Sequence, residues 1–119
     1  MASILVVEDD SDLRYLYGTV LERRGHQVAV ASNTGEAIQV LNDQTVDLMI
    51  LDISMPDGPG TKLITFAQND KRLEHIQIVV ISANDRWEDH VRSFGIEHFM
   101  VKPITNTRLA ALVEQMLKS

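Results

Sequence analysis

The chain has 119 residues, 45% of them hydrophobic, with 17 acidic against 11 basic side chains and a net charge of −6 at pH 7. That length and composition imply one domain spanning residues 1–119 with an ordinary hydrophobic core and exclude a disordered chain, while the acidic balance argues against a nucleic-acid surface. There is no cysteine, which excludes disulfides, zinc–thiolate sites and a cysteine nucleophile; with no signal segment before the first apolar run and no run of membrane length, a cytoplasmic location without membrane contact is expected.

In chain order, residues 4–7 form a short apolar run of the kind found in a buried strand, followed by the acidic cluster Glu8-Asp9-Asp10-Ser11-Asp12. Leu13, Leu16, Tyr17, Val20 and Leu21 recur at helical spacing, and Gly25 stops that helix. On the same reading Tyr15 and Gly18 lie off its buried stripe. Residues 27–31 are the second strand. Asn33 caps the second helix, with Glu36 three residues on and Ile38 and Leu41 facing inward. Residues 48–51 are the third strand. The third helix starts near Gly60 and buries Leu63, Ile64 and Ala67. Residues 77–82, QIVVIS, are the fourth strand; a short helix over 85–93 carries Trp87 and Val91, with Phe94 just beyond. Residues 97–101 are the fifth strand, and Leu109, Leu112, Val113, Met116 and Leu117 mark the last helix. Five strands alternating with five helices predict a doubly wound α/β fold with a parallel sheet.

The stretch VDLMILDISMP, residues 46–56, carries the most information. Four consecutive apolar residues without polar alternation read as a strand buried on both faces. The run ends on Asp52, and Pro56, Gly58, Pro59 and Gly60 force a turn. A strand order of 2-1-3-4-5, the flavodoxin-like arrangement, sets strands one and three side by side, and their carboxyl ends then form the switch-point crevice where ligands bind. Polar groups are expected there, and Glu8-Asp9-Asp10, Asp52, Ser82 and Lys102-Pro103 occupy the ends of strands one, three, four and five. Taken singly, each has an ordinary structural alternative: a charged helix start, a loop-capping aspartate, a hydroxyl bonding its own backbone, a surface lysine.

Together the motifs VVEDD, LDISMPDGPG, VVISA and VKP, in this order, resemble the receiver domains of two-component response regulators, over essentially the whole chain. The resemblance implies that Asp52 is a phosphoacceptor attacking phosphorus to form an acyl phosphate, supplied by a sensor histidine kinase or a histidine phosphotransfer protein. Three carboxylates packed together repel one another unless a hard cation intervenes. The implied ion is Mg²⁺, with Mn²⁺ able to replace it, held by Glu8, Asp9, Asp52 and the main-chain carbonyl of Ser54. Lys102 would cover charge on the phosphoryl oxygens, and Ser82 would donate a hydrogen bond to one of them. Ser82 and Phe99 take the switch positions, Ser54 and Asn84 those that influence acyl-phosphate lifetime, and Pro103 is expected to follow a cis bond. Phe99 lacks the hydroxyl that many relatives have there.

The resemblance places signalling on the face of helix four, strand five and helix five, toward a downstream effector or a fused output domain. The spacing from Ser82 to Lys102 is about two residues shorter than the family's usual one, roughly half a helical turn, so helix four is expected to be short and Trp87 partly exposed. A partner contact centred on Trp87 or on helix one is then expected in place of the usual activation-driven dimer. The four histidines lack metal-ligand spacing, and GPGTK lacks the order of a phosphate loop. Two other readings share the fold: an interaction module that is never phosphorylated, which the intact acidic set argues against, and a metal-dependent phosphatase using Asp52, for which Ser54 is a poor second acid–base.

Overall fold

A computed structural model describes residues 2–55 and 58–118. Five strands, β1 (Ser3–Val7), β2 (Gln27–Ala31), β3 (Leu48–Asp52), β4 (Gln77–Ser82) and β5 (His98–Val101), form one parallel sheet in the spatial order β2-β1-β3-β4-β5. The helices are α1 (Ser11–Arg23), α2 (Thr34–Asp43), α3 (Thr61–Gln68), α4 (Glu88–Arg92) and α5 (Asn106–Leu117). Every residue of β3 is buried, and β1 and β4 are buried beyond their first residue, as continuous apolar runs covered on both faces must be. The edge strand β2 is only partly covered.

Alternation along the strands divides the core into two layers. Leu5, Val7, Met49, Leu51 and Val80 pack with Ala37, Leu41, Leu63, Ile64 and Val91 of α2, α3 and α4. Ile4, Val6, Leu48, Ile50, Val79 and Ile81 pack on the other face with Tyr17, Leu21, Leu109 and Val113 of α1 and α5. Each fully buried side chain of this size contributes about 1.5–3 kcal/mol relative to exposure, which holds the strand ends in register.

Local chemistry sets the helix starts. Asp10 caps α1, accepting from the amides of Asp12 and Leu13. Asn33 accepts from the Glu36 amide, and Glu36 reaches back to the amide and hydroxyl of Ser32, at 2.7 Å each. Gly25, at φ +91°, takes the left-handed conformation just past α1.

Several expectations need correction. Gly18 belongs to the buried face of α1, where a Cβ would stand 3.8 Å from Val28 and 3.9 Å from Val30; absence of a side chain lets the helix lie close over the edge strand. Leu16, expected inside, is exposed, as is Tyr15 at 76%. The fifth strand begins at His98 and the first at Ser3, each one residue from expectation. Ser54–Met55 pairs antiparallel with Gly58–Pro59 in a two-residue ladder after β3, where only a turn was expected; Pro56, part of that expected turn, lies outside the described residues. The fourth helix is short, as expected: the segment 85–93 is a 3₁₀ turn (Asp85–Trp87) running into the five-residue α4, whose buried side chain is Val91. Trp87 stays partly exposed against the α3–α4 layer. Gly95, at φ +85°, turns the chain toward β5.

Candidate functional site

Register brings the four polar strand ends together. Val7 pairs with Leu51, so Glu8 and Asp52 leave adjacent strands at one level. Asp52 pairs with Ile81 and Ser82 with Val101, and the Lys102 amide donates to the Ser82 carbonyl at 2.8 Å. The crevice lies between β1 and β3, at the topological switch point.

Lys102 reaches across it. Its Nζ lies 2.8 Å from Glu8 Oε1 and 3.1 Å from Asp52 Oδ2, with the Glu8 and Asp52 side chains 2% and 5% exposed. The second oxygen of each carboxylate meets a backbone amide: Ser54 N–H donates to Asp52 Oδ1 at 3.0 Å, and Asp10 N–H to Glu8 Oε2 at 3.1 Å. Asp9 is exposed, yet it offers a carboxylate oxygen that lies with one each from Glu8 and Asp52 inside a 4.8 Å cluster.

Burial pushes the Glu8 carboxyl up to about 7; Lys102 pulls it back down, and the neighbouring Asp52 adds to the rise. Burial opposes the Lys102 charge, but the Glu8 and Asp52 carboxylates outweigh it and hold the ammonium above its ordinary pKa. One ammonium thus serves two buried carboxylates, with the exposed Asp9 carboxylate gathered beside them. Glu8 Oε1 is buried and, although close to Lys102 Nζ, has no aligned hydrogen-bond donor. A crowded, oxygen-only set with a poorly satisfied buried oxygen fits a small hard cation.

The remaining residues surround this centre. Ser82 Oγ donates to the Asn84 carbonyl at 2.8 Å and accepts from the Asn84 amide at 3.0 Å, closing the β4 end on its own loop. Asn84 Oδ1 accepts from the Arg86 amide, capping the 3₁₀ turn. Phe99 is half-buried against the α3–α4 layer. The Lys102–Pro103 peptide is cis. The close packing of Gly60, read from the sequence only as a turn and helix start, and the reach of Arg14 escaped the sequence reading. Gly60 approaches so closely that a Cβ would sit 3.0 Å from the Asp52 carbonyl oxygen and 3.1 Å from Ile53 Cα, while its own amide donates to Ile53 O at 2.7 Å. Arg14 extends its guanidinium to the Glu8 carbonyl at 2.8 Å and the Asp9 carbonyl at 3.4 Å. A glycine eight residues after Asp52 was a visible signal; an arginine on an exposed helix turn was not.

Fold and site together define a flavodoxin-like α/β domain with an acidic, lysine-closed crevice at its switch point. The family profile described as response regulator receiver domain matches residues 4–114. The phosphate regulon transcriptional regulatory protein PhoB of Escherichia coli is 31% identical over 117 residues, covering 97% of this chain and 51% of PhoB. The virulence transcriptional regulatory protein PhoP of Salmonella typhimurium is 31% identical over 121 residues, covering 99% of this chain and 53% of PhoP. Response regulator protein TrrA of Thermotoga maritima, solved in complex with Mg²⁺ and BeF, superposes with a TM-score of 0.86 at 27% identity, covering 98% of this chain and 99% of TrrA. This chain belongs to the response regulator receiver domain family. It spans about half the length of the curated relatives it matches. Among the described residues, no helix is long and apolar enough to cross a membrane.

Proposed function

We propose that residues 1–119 form a single receiver domain in which Asp52 accepts a phosphoryl group. The observation that carries this reading is the Lys102 ammonium on Asp52 Oδ2 beside the Glu8–Asp9–Asp52 cluster. An Asp52 oxygen forms the new bond to phosphorus. The bond from phosphorus to the donor's imidazole nitrogen breaks, and the imidazole keeps that electron pair. The donor is a histidine kinase or a histidine phosphotransfer protein, and small acyl phosphates substitute for it.

Glu8, Asp9, Asp52 and the Ser54 carbonyl would hold Mg²⁺, or Mn²⁺ in its place, which when bound neutralises charge on the carboxylates and the phosphoryl oxygens. Lys102, already on Asp52 Oδ2, supplies a second, fixed positive charge at the acceptor. Turned from the Asn84 backbone, the Ser82 hydroxyl donates to a phosphoryl oxygen, and Phe99 moves into the space behind it. Signalling then leaves through α4, β5 and α5 to an effector protein or a fused output domain, in the cytoplasm. Slow hydrolysis at Asp52, influenced by Ser54 and Asn84, resets the domain.

Intact-mass measurement after incubation with acetyl phosphate tests this. One phosphoryl group should appear in Mg²⁺, none in EDTA and none on Asp52→Asn, and Asn84→Ala should change its decay. Labelling of Asp52→Asn to the wild-type level, or labelling indifferent to EDTA, would sink the proposal.

A further inference from the structure

Arg14 lies on the first turns of α1, outside the carboxylate cluster, yet it engages three consecutive carbonyls of the β1–α1 junction. Its backbone amide donates to Asp10 O at 2.9 Å, as part of the helix. Its Nη1 turns back to Glu8 O at 2.8 Å and Asp9 O at 3.4 Å. The last ladder bond of β1 in this region is Glu8 N–H to Ala31 O, and α1 begins at Ser11. The peptides between them belong to neither element, and they carry the two carboxylates that must meet Asp52. Rotation of either peptide would re-aim those side chains. The permanently charged Arg14 guanidinium reaches both successive carbonyls through the two N–H groups of Nη1, closely at Glu8 and more distantly at Asp9, and so opposes that rotation.

We infer that Arg14 is a positioning residue for the metal site: it locks the backbone of Glu8 and Asp9 so that their carboxylates converge on Asp52. The inference rests on the metal reading given above. It makes a prediction of opposite sign to simple electrostatics. The Arg14 charge stands beside an acidic cluster, so Coulomb repulsion alone would have its removal tighten cation binding. Loss of a backbone lock weakens binding instead, in the range of about tenfold or more seen when outer partners of metal ligands are removed.

The test is calorimetric titration of Mg²⁺ into the unphosphorylated wild type, Arg14→Met and Arg14→Lys, with amide exchange across residues 9–12 followed in EDTA. Arg14→Met should bind Mg²⁺ about tenfold more weakly and exchange faster across the junction, with Arg14→Lys recovering part of both through one carbonyl. If Arg14→Met does not fold, Arg14→Gln is read by the same criterion. Wild-type protein that binds Mg²⁺ while Arg14→Met binds it equally or more tightly would overturn the Arg14 assignment alone. A wild type that binds no Mg²⁺ would overturn the metal reading and this inference with it.

Discussion

Replacing Glu8 by Gln isolates the electrostatic tension in the crevice. Glu8 rises from an ordinary 4.5 to about 7 because burial disfavours its charge more than Lys102 favours it. Between those two values the folded protein holds a proton that the unfolded chain has released. Stability is therefore fully present below pH 4.5 and is lost as pH rises through about 7. At 1.36 kcal/mol per pH unit, the interval from 4.5 to about 7 corresponds to about 3 kcal/mol. Glu8→Gln removes the titration and keeps the volume. Urea unfolding of both proteins from pH 4 to 8 in EDTA gives the difference directly. Relative to the variant, the wild type should lose about 3 kcal/mol across that range, and saturating Mg²⁺ should restore most of the loss at pH 8, since the ion binds the ionised carboxylate. A wild-type-minus-variant difference that stays flat with pH in EDTA would refute the reasoning.

Two further outcomes follow from the fold. Gly60→Ala places a methyl group 3.0 Å from the Asp52 carbonyl and 3.1 Å from Ile53 Cα, both rigid backbone, so it should cost about 1–3 kcal/mol in urea unfolding and slow labelling of Asp52; an unchanged midpoint would show that the loop yields freely. With α4 only five residues long, light scattering in Mg²⁺ and beryllofluoride should show no activation-dependent dimer of the α4–β5–α5 kind, and a strong dimer with slow amide exchange across residues 85–94 would refute this.

Much of the architecture was legible in the linear pattern because burial on both faces leaves a local record. The runs at 4–7, 48–51 and 77–82 could be satisfied only as central parallel strands, and a polar residue that ends such a run must emerge at the mouth of the sheet. Glu8, Asp9, Asp52, Ser82 and Lys102 could therefore be assigned to one crevice from their positions at strand ends. The Asn33 cap is equally local, since its side chain satisfies an exposed amide three residues away.

Tertiary structure decided what depends on distance between remote residues. Lys102 meets Asp52 across 50 positions of sequence, and only the stagger of β3, β4 and β5 sets that contact at 3.1 Å and the Glu8 contact at 2.8 Å. The raised pKa of Glu8 comes first from burial, which no spacing rule contains. Gly18 faces inward and Leu16 outward because α1 must lie close over Val28 and Val30, a choice between helix faces made by the edge strand beneath. The grip of Arg14 on the Glu8 and Asp9 carbonyls likewise depends on how the chain turns from β1 into α1. Periodicity records which residues leave water; which of them then touch is set when the elements pack.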